Sequence, residues 1–301
     1  FFKQKTAYEI VDCDWSSDVC SSDLAACLNP TRSSAASGSE VSETLNELER
    51  AIGGRLGVFV LDTSTRLAIE HRPDERFAMC STFKWLLAAQ LLHQADIGAA
   101  SLKEQIEFNQ GDLLEYAPVA RAKVRRGRMS LSEAAAAAVV LSDNTAANLL
   151  LGRLGGPPAF TEFARSLGDT ITRLDRLEPD LNSNTPQDSS DTTSPRAMVA
   201  SLEAALLGNS LSPRSRRQLL GWLRASETGY ARLRAGLPRS WRVGDKTGTG
   251  SNGAVNNIAI AFPPGRKPLL FAVYISDTQA ARGDLERAHA RVANLAAATL
   301  T

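Results

Sequence analysis

Apolar residues recur at helical spacing at Val41, Leu45, Leu48 and Ile52, and Gly53-Gly54 ends the helix they predict. The Val-rich stretch Arg55 to Asp62 predicts a buried strand, and Leu67 to His71 a second one after the turn Thr63-Ser64-Thr65. From Ser81 to about Leu220 the pattern is mostly helical. Trp85-Leu86-Leu87-Ala88-Ala89-Gln90-Leu91-Leu92 has no Gly or Pro and reads as a helix core, with Ser81 as its N-terminal residue. Ser101-Leu102-Lys103-Glu104 and Ser130-Leu131-Ser132-Glu133 read as capping boxes, the second opening an alanine-rich helix to Leu141. Asn144 to Leu154 predicts a further helix, closed by Gly155-Gly156-Pro157-Pro158. Ser194-Pro195 starts one to Leu207 and Ser212-Pro213 another to Arg224. Trp241 to Lys246, Asn257 to Phe262 and Leu269 to Ile275 read as strands, and Asp284 to Leu300 as a final helix.

Helices and strands at both ends therefore flank a helical middle. The expected fold is α+β: a sheet built from both ends of the chain, with a helical region inserted between them. Residues 173–195 interrupt the helical middle with five acidic residues, three prolines and many Ser, Thr and Asn. A long irregular segment inside a compact domain is usually functional or disordered.

With 301 residues, 43% of them hydrophobic, the chain can bury a sizeable core. The formal charge of +1 gives no sign of nucleic acid or an acidic membrane as partner. The cluster Arg121, Lys123, Arg125, Arg126 and Arg128 reads as a solvated face. No apolar stretch approaches ~20 residues, so no transmembrane helix is expected. Residues 1–24 show neither helical nor alternating periodicity, nor a signal-peptide layout, and resemble translated adapter sequence. Residues 25–39 read as a signal remnant and linker, with Ala25-Ala26-Cys27 resembling the end of a lipoprotein signal. Cys13, Cys20 and Cys27 lie in or beside this front segment, and Cys80 is the one cysteine in the body. The body thus has no internal disulfide. His71, His93 and His289 with one cysteine make a poor zinc set.

The chemistry centres on Ser81-Thr82-Phe83-Lys84. Three residues are just under one helical turn, so Ser81 and Lys84 project on the same side. A serine hydroxyl is a weak nucleophile until a neighbour takes its proton. A lysine amine can take it only if burial or charge lowers its pKa. Alone, the pair reads far more readily as an N-terminal cap with a surface lysine. Three further patterns accompany it: Ser142-Asp143-Asn144 at the end of an apolar helix, Glu178-Pro179-Asp180-Leu181-Asn182 in the irregular segment, and Lys246-Thr247-Gly248 closing a strand. Taken singly these are a helix-end turn, a loop acid and a hairpin turn. Together, in this order and spacing, they resemble a class A serine β-lactamase.

The resemblance covers roughly Val41 to the C-terminus. It implies a β-lactamase/transpeptidase-like α+β domain over 40–301. Its antiparallel five-stranded sheet would come from about 40–75 and 225–301, its helical part from about 76–224, and the active site would lie between them. It implies Ser81 as the acylated nucleophile, with Lys84 holding it and shuttling its proton. Glu178 would activate the deacylating water and Asn182 help hold it. Whether Lys84 or Glu178 is the acylation base stays open. Ser142 would pass a proton to the leaving nitrogen beside Lys246. Asn144 would bind the substrate's side-chain amide. Backbone N–H groups of Ser81 and Thr249 would form the oxyanion hole.

β-Lactams carry a carboxylate, for which the resemblance implies Lys246 with the hydroxyls of Thr247 and Thr249, beside Gly248. The arginine that many relatives carry after Lys-Thr-Gly is missing from Gly253-Ala254-Val255-Asn256-Asn257, and Arg232 matches its alternative position. Arg176 and Asp191 match the ion pair that pins the family's Ω-shaped loop, and Tyr116 an aromatic wall of the cleft. Cys80 has no cysteine partner at Gly250, which weakens a carbapenemase reading. The function implied is hydrolysis of the β-lactam amide of penicillins and cephalosporins, and hence antibiotic resistance. The partner is the small β-lactam itself, with no cofactor, metal, nucleic acid or obligate protein partner. A monomer is expected, periplasmic or secreted, or lipid-anchored through Cys27. The alternatives are a penicillin-binding D-Ala-D-Ala carboxypeptidase and a β-lactam sensor domain; Glu178 and Asn182 in a discrete loop favour the hydrolase. If residues 1–24 are extraneous, deleting them leaves melting temperature and nitrocefin turnover unchanged, and a clear loss of either shows that they belong to the fold.

Overall fold

The computed structural model describes residues 38–301. The adapter-like segment, Cys27 and most of the expected linker lie outside the described residues. In chain order the helices are α1 (Gly38–Ile52), α2 (Phe83–Asp96), α3 (Pro118–Lys123), α4 (Leu131–Val140), α5 (Asn144–Arg153), α6 (Gly156–Ser166), α7 (Pro195–Leu206), α8 (Pro213–Arg224), α9 (Leu233–Gly236) and α10 (Arg282–Leu300). The strands are β1 (Arg55–Asp62), β2 (Ala68–His71), β3 (Phe77–Ala78), β4 (Gln105–Glu107), β5 (Arg128–Ser130), β6 (Thr192–Thr193), β7 (Arg242–Thr249), β8 (Val255–Phe262) and β9 (Leu269–Ser276).

The main sheet has the order β2-β1-β9-β8-β7, with antiparallel pairs throughout. β1 lies against β9 with Arg55 opposite Ser276, so the two ends of the chain do share one sheet. Alternate strand residues point to opposite faces. On one face Val58, Val60, Phe271 and Val273 pack with Leu45 of α1 and Val292 of α10. On the other Phe59, Leu61, Ile258 and Leu270 pack with residues of α2, α4, α7 and α8. Both faces are covered, which is why these strands read as nearly unbroken apolar runs.

α2 is the central helix. Every residue from Phe83 to Leu92 is buried, so it has no solvent face. This burial carries Lys84 into the interior. Ser81 does not cap the helix: it sits in a 3-10 turn, Cys80–Thr82, and no side-chain cap bond forms at Thr82. Its hydroxyl is therefore not committed to the helix N-terminus. Two other expectations divide. Ser130 and Glu133 form the expected capping box, reciprocally bonded at the start of α4. Ser101 opens no helix. Its carbonyl closes a turn onto the Glu104 amide, and Glu104 pairs with Arg153 instead of capping.

One side chain fixes the segment before Ser81 to the sheet. Asn256 on β8 donates its amide to the carbonyls of Ala78 (2.9 Å) and Met79 (3.3 Å), and accepts from the Ile275 amide. It is fully buried. Buried polar groups stripped of a partner cost about 1–3 kcal/mol each. Asn256→Ala should lower the unfolding free energy by about that amount in urea titration; an unchanged midpoint would show the segment is held elsewhere.

Candidate active site

Four loci converge at one edge of the main sheet, where β7 faces the start of α2. Ser81 Oγ donates to Glu178 Oε1 at 3.0 Å. The same carboxylate oxygen lies 2.8 Å from Lys84 Nζ, and both of these side chains are wholly buried. Lys84 Nζ also donates to the Ser142 carbonyl (2.9 Å) and to Asn144 Oδ1 (2.5 Å). Ser142 Oγ accepts from Lys246 Nζ at 3.0 Å, and Lys246 donates further to the Thr247 carbonyl. Two lysines thus flank Ser142, and one lysine joins Glu178 to Ser142.

Local backbone geometry makes this possible. Cys80 (φ 45°) and Ser142 (φ 60°) both adopt left-handed conformations, which side-chain-bearing residues seldom accept. Asp143 then caps α5 through the Ala146 amide and holds the amides of Val119 and Ala120, fixing the loop that carries Tyr116. Gly248 is required for contact: a Cβ there would lie 2.7 Å from the Met79 carbonyl. The loop carrying Glu178 is pinned at its ends. Asp191 accepts from Arg176 Nε and from the amides of Asp175 and Arg176, while Asp188 also pairs with Arg176. The Asp191 carbonyl accepts from the Met79 amide, joining the loop to the segment before Ser81.

Charge in this pocket is shaped by desolvation. Burial pushes the Lys84 amine below the ordinary lysine range, and the adjoining Glu178 carboxylate works against that shift. Burial pushes Lys246 well below its usual range, helped by the Lys84 charge. Burial raises the Cys80 thiol to about 12, with Glu178 adding to the effect, so that thiol stays protonated beside Ser81.

A cleft of about 350 Å³ opens above these groups. Ser81, Tyr116, Ser142, Asn144, Asn182, Thr228, Thr247, Gly248 and Thr249 line it, with Arg282. Tyr116 stands half exposed at its wall. Arg232 is not at the wall. It is buried, and donates to the carbonyls of Gly248 and Asn256 and to Thr249 Oγ1 (2.8 Å). It meets the cleft lining through the Gly248 carbonyl and that hydroxyl, from behind. Burial lowers its pKa to about 10, and the charge of Arg282 contributes.

Sequence reasoning missed three residues. Arg282, the first residue of α10, is the guanidinium that lines the cleft; Glu286 bonds it at 3.0 Å and lies 3.7 Å from Arg232. Thr228 bonds Thr247 Oγ1 at 2.6 Å. Asn148 brackets Glu178 by accepting from its amide (2.9 Å) and donating to its carbonyl (2.8 Å). Asn148 lies four residues past Asn144 on α5, and that spacing from Ser142-Asp143-Asn144 was the available signal.

A serine hydroxyl, a buried lysine–carboxylate pair and a second lysine meet at one cleft, an arrangement able to support nucleophilic acyl transfer. The β-lactamase enzyme family matches residues 40–300, and the chain belongs to that family. β-Lactamase CTX-M-97 of Escherichia coli is 46% identical over 244 residues, covering 81% of this chain and 84% of that protein. β-Lactamase OXY-2 of Klebsiella oxytoca is 44% identical with the same coverage. Among solved structures, the reconstructed last common ancestor of Gram-negative class A β-lactamases is 53% identical, with a TM-score of 0.85 over 87% of this chain and 99% of that one. A putative class A β-lactamase from Rhodopseudomonas palustris is 48% identical with a TM-score of 0.84, over 85% of this chain and 98% of that one.

Both lysines lose their protons more readily than free lysine, so the positive charge in the cleft fades early on the alkaline side. The alkaline limb of kcat/KM for an anionic substrate should fall below the ordinary lysine value of about 10.4. Lys246→Arg should move that limb upward, because a guanidinium keeps its proton. A limb that stays put in the variant would take Lys246 out of the titration.

Proposed function

We propose that the protein hydrolyses the β-lactam amide of penicillins and cephalosporins through an acyl-enzyme on Ser81, and that this confers resistance. The reading rests on the Ser81–Glu178–Lys84 contact inside a cleft of a class A β-lactamase fold. In the first step Ser81 Oγ attacks the lactam carbonyl and the ring C–N bond breaks. The Ser81 proton enters the Lys84–Glu178 pair; Ser142, beside Lys246, delivers its proton to the departing nitrogen and takes one back from Lys84, whose Nζ lies 3.5 Å from its hydroxyl. The backbone N–H groups of Ser81 and Thr249 receive the oxyanion; paired donors of this kind supply about 3–4 kcal/mol each.

In the second step water attacks the Ser81 ester, Glu178 takes its proton, and Ser81 recovers its own. Asn182 supports this: its amide donates to Glu178 Oε2, and its Oδ1 has no protein partner, so it can accept from that water. Asn144 takes the substrate's side-chain amide, and Tyr116 covers the cleft wall. The substrate carboxylate meets Lys246 and the hydroxyls of Thr247 and Thr249. Arg232 acts behind Thr249 by orienting its hydroxyl, and Arg282 supplies the exposed charge at the mouth. The reaction needs no second protein, and the protein acts as a monomer. Among the described residues no helix is long and apolar enough to cross a membrane. We assign it to the periplasm or the exterior, where its substrates act.

Ring opening and ester release depend on different groups. Without Glu178, the charge that supports the Lys84 proton is gone, so Lys84 becomes a stronger candidate to accept from Ser81. Ester release keeps no such substitute. General-base assistance contributes roughly 10²–10⁴-fold, so Glu178→Ala should slow penicillin turnover by at least that order. Intact-mass spectrometry after brief mixing should then find a persistent adduct on Ser81 that the wild type clears. A wild type that itself holds the adduct for hours, with no change in the variant, would mark a penicillin-binding protein or sensor instead.

A further inference from the structure

Two guanidiniums approach the cleft beside β7, and one carboxylate serves both. Arg282 lines the cleft with Thr247, Gly248 and Thr249. Arg232 stands behind them, bonded to the Gly248 carbonyl and the Thr249 hydroxyl. Glu286 Oε1 accepts from Arg282 Nε at 3.0 Å and lies 3.7 Å from Arg232 Nε, a nitrogen with no hydrogen-bond partner. Among the described residues no other carboxylate forms an ion pair with either guanidinium. Asp284, the acid in the first turn of α10, is taken by Arg287.

The Arg282–Glu286 pair is poorly placed to serve the helix itself. Arg282 is the first residue of α10, where a cation meets the positive end of the helix dipole. Its acid follows four residues later, and the order that stabilises helices better is acid first. The pair does more for the cleft. The Arg282 side chain is 62% exposed and that of Glu286 only 21%, so the acid is the more anchored partner. A long side chain so exposed has many rotamers open to it, and a bond to a fixed acceptor removes most of them. Arg232 meanwhile repels Arg282, since both carry positive charge. With the acid gone, Arg282 turns outward into solvent and leaves the cleft.

Resting on the hydrolase reading above, we propose that Glu286 is a positioning residue for recognition of the substrate carboxylate: its hydrogen bond holds the Arg282 guanidinium over the cleft against repulsion from Arg232. Glu286 does not line the cleft and acts through Arg282 alone. The acid also subtracts from the positive field that an anionic substrate meets. That subtraction is screened where the pair faces solvent, whereas a displaced guanidinium loses its contact altogether. Position therefore outweighs charge.

The test compares benzylpenicillin with its methyl ester, which lacks the carboxylate, in the full chain. The ratio of their kcat/KM values, acid over ester, reads the carboxylate contact and cancels any loss of folded protein. Glu286→Ala should lower that ratio about three- to five-fold, the scale of an exposed ion pair. The fall should come through KM for the acid, with its kcat little changed. Glu286→Gln keeps an oxygen that accepts from Arg282 and should recover most of the loss. Arg282→Ala should lower the ratio at least as far, and adding Glu286→Ala to it should change nothing more. A ratio that rises in both Glu286 variants would show that the acid only weakens the field. An unchanged ratio would show that Arg282 holds its place unaided, and a further fall in the double variant that Glu286 acts elsewhere. Each of these overturns the positioning role and leaves the hydrolase reading standing, as long as the wild type hydrolyses benzylpenicillin. A wild type that hydrolyses neither substrate overturns the hydrolase reading itself.

Discussion

Lys84 and Glu178 sit together with no exposed side-chain surface, and the rest of the site is arranged around the bonds that this pair makes. Moving ions out of water costs on the order of several kcal/mol each, offset only by close geometry and further hydrogen bonds. The pair has both. Lys84 adds the Ser142 carbonyl and Asn144, and Glu178 adds Ser81 and Asn182. Each added partner is a group to which the proposed mechanism gives a role. The interactions that make the buried pair tolerable are thus the same ones that aim the reacting atoms. The buried, mostly apolar stretch of the central helix excludes water from the pair, and Lys84 is the one ionisable residue within that stretch.

Around the pair, conformations that chains avoid are concentrated where side chains must be aimed. Cys80, Ser142, Asn184 and Asp191 are all left-handed without being glycine. One precedes Ser81, one accepts from Lys246 through its hydroxyl, and two hold the loop of Glu178. Such residues persist only where their surroundings over-determine them. Here Asn256 fixes the segment leading to Cys80, two lysines flank Ser142, and Asp191 is held by both backbone and guanidinium.

Much of this was legible in the sequence. The sheet strands, the capping at Ser130 and the proline starts at Pro195 and Pro213 follow local rules that the structure obeys. The four patterns around Ser81, Ser142, Glu178 and Lys246 meet at one cleft as their order suggested. What escaped had a misleading local signature, a faint one or none. Ser101 carries the letters of a capping box, but its chain turns into β4 and Glu104 pairs with α5. The depth of Arg232 depends on what α10 lays over it, and residue type does not reveal that. Asn148 and Arg282 are single residues placed beside groups remote in sequence, and neither period nor spacing marks Arg282 as part of the site.

The register that puts Arg55 opposite Ser276 also bears on how the molecule is made. β1 is an inner strand of the sheet, yet one of its two neighbours is β9, the last of the described strands to leave the ribosome. Until β9 emerges, β1 has only the short β2 to pair with, and the apolar face that α1 and α10 will cover stays open. Pairings so distant in sequence are slow to form and leave the incomplete chain prone to aggregation. Delayed closure therefore keeps the apolar face open, and the chain pliable, for as long as β9 takes to reach its place beside β1.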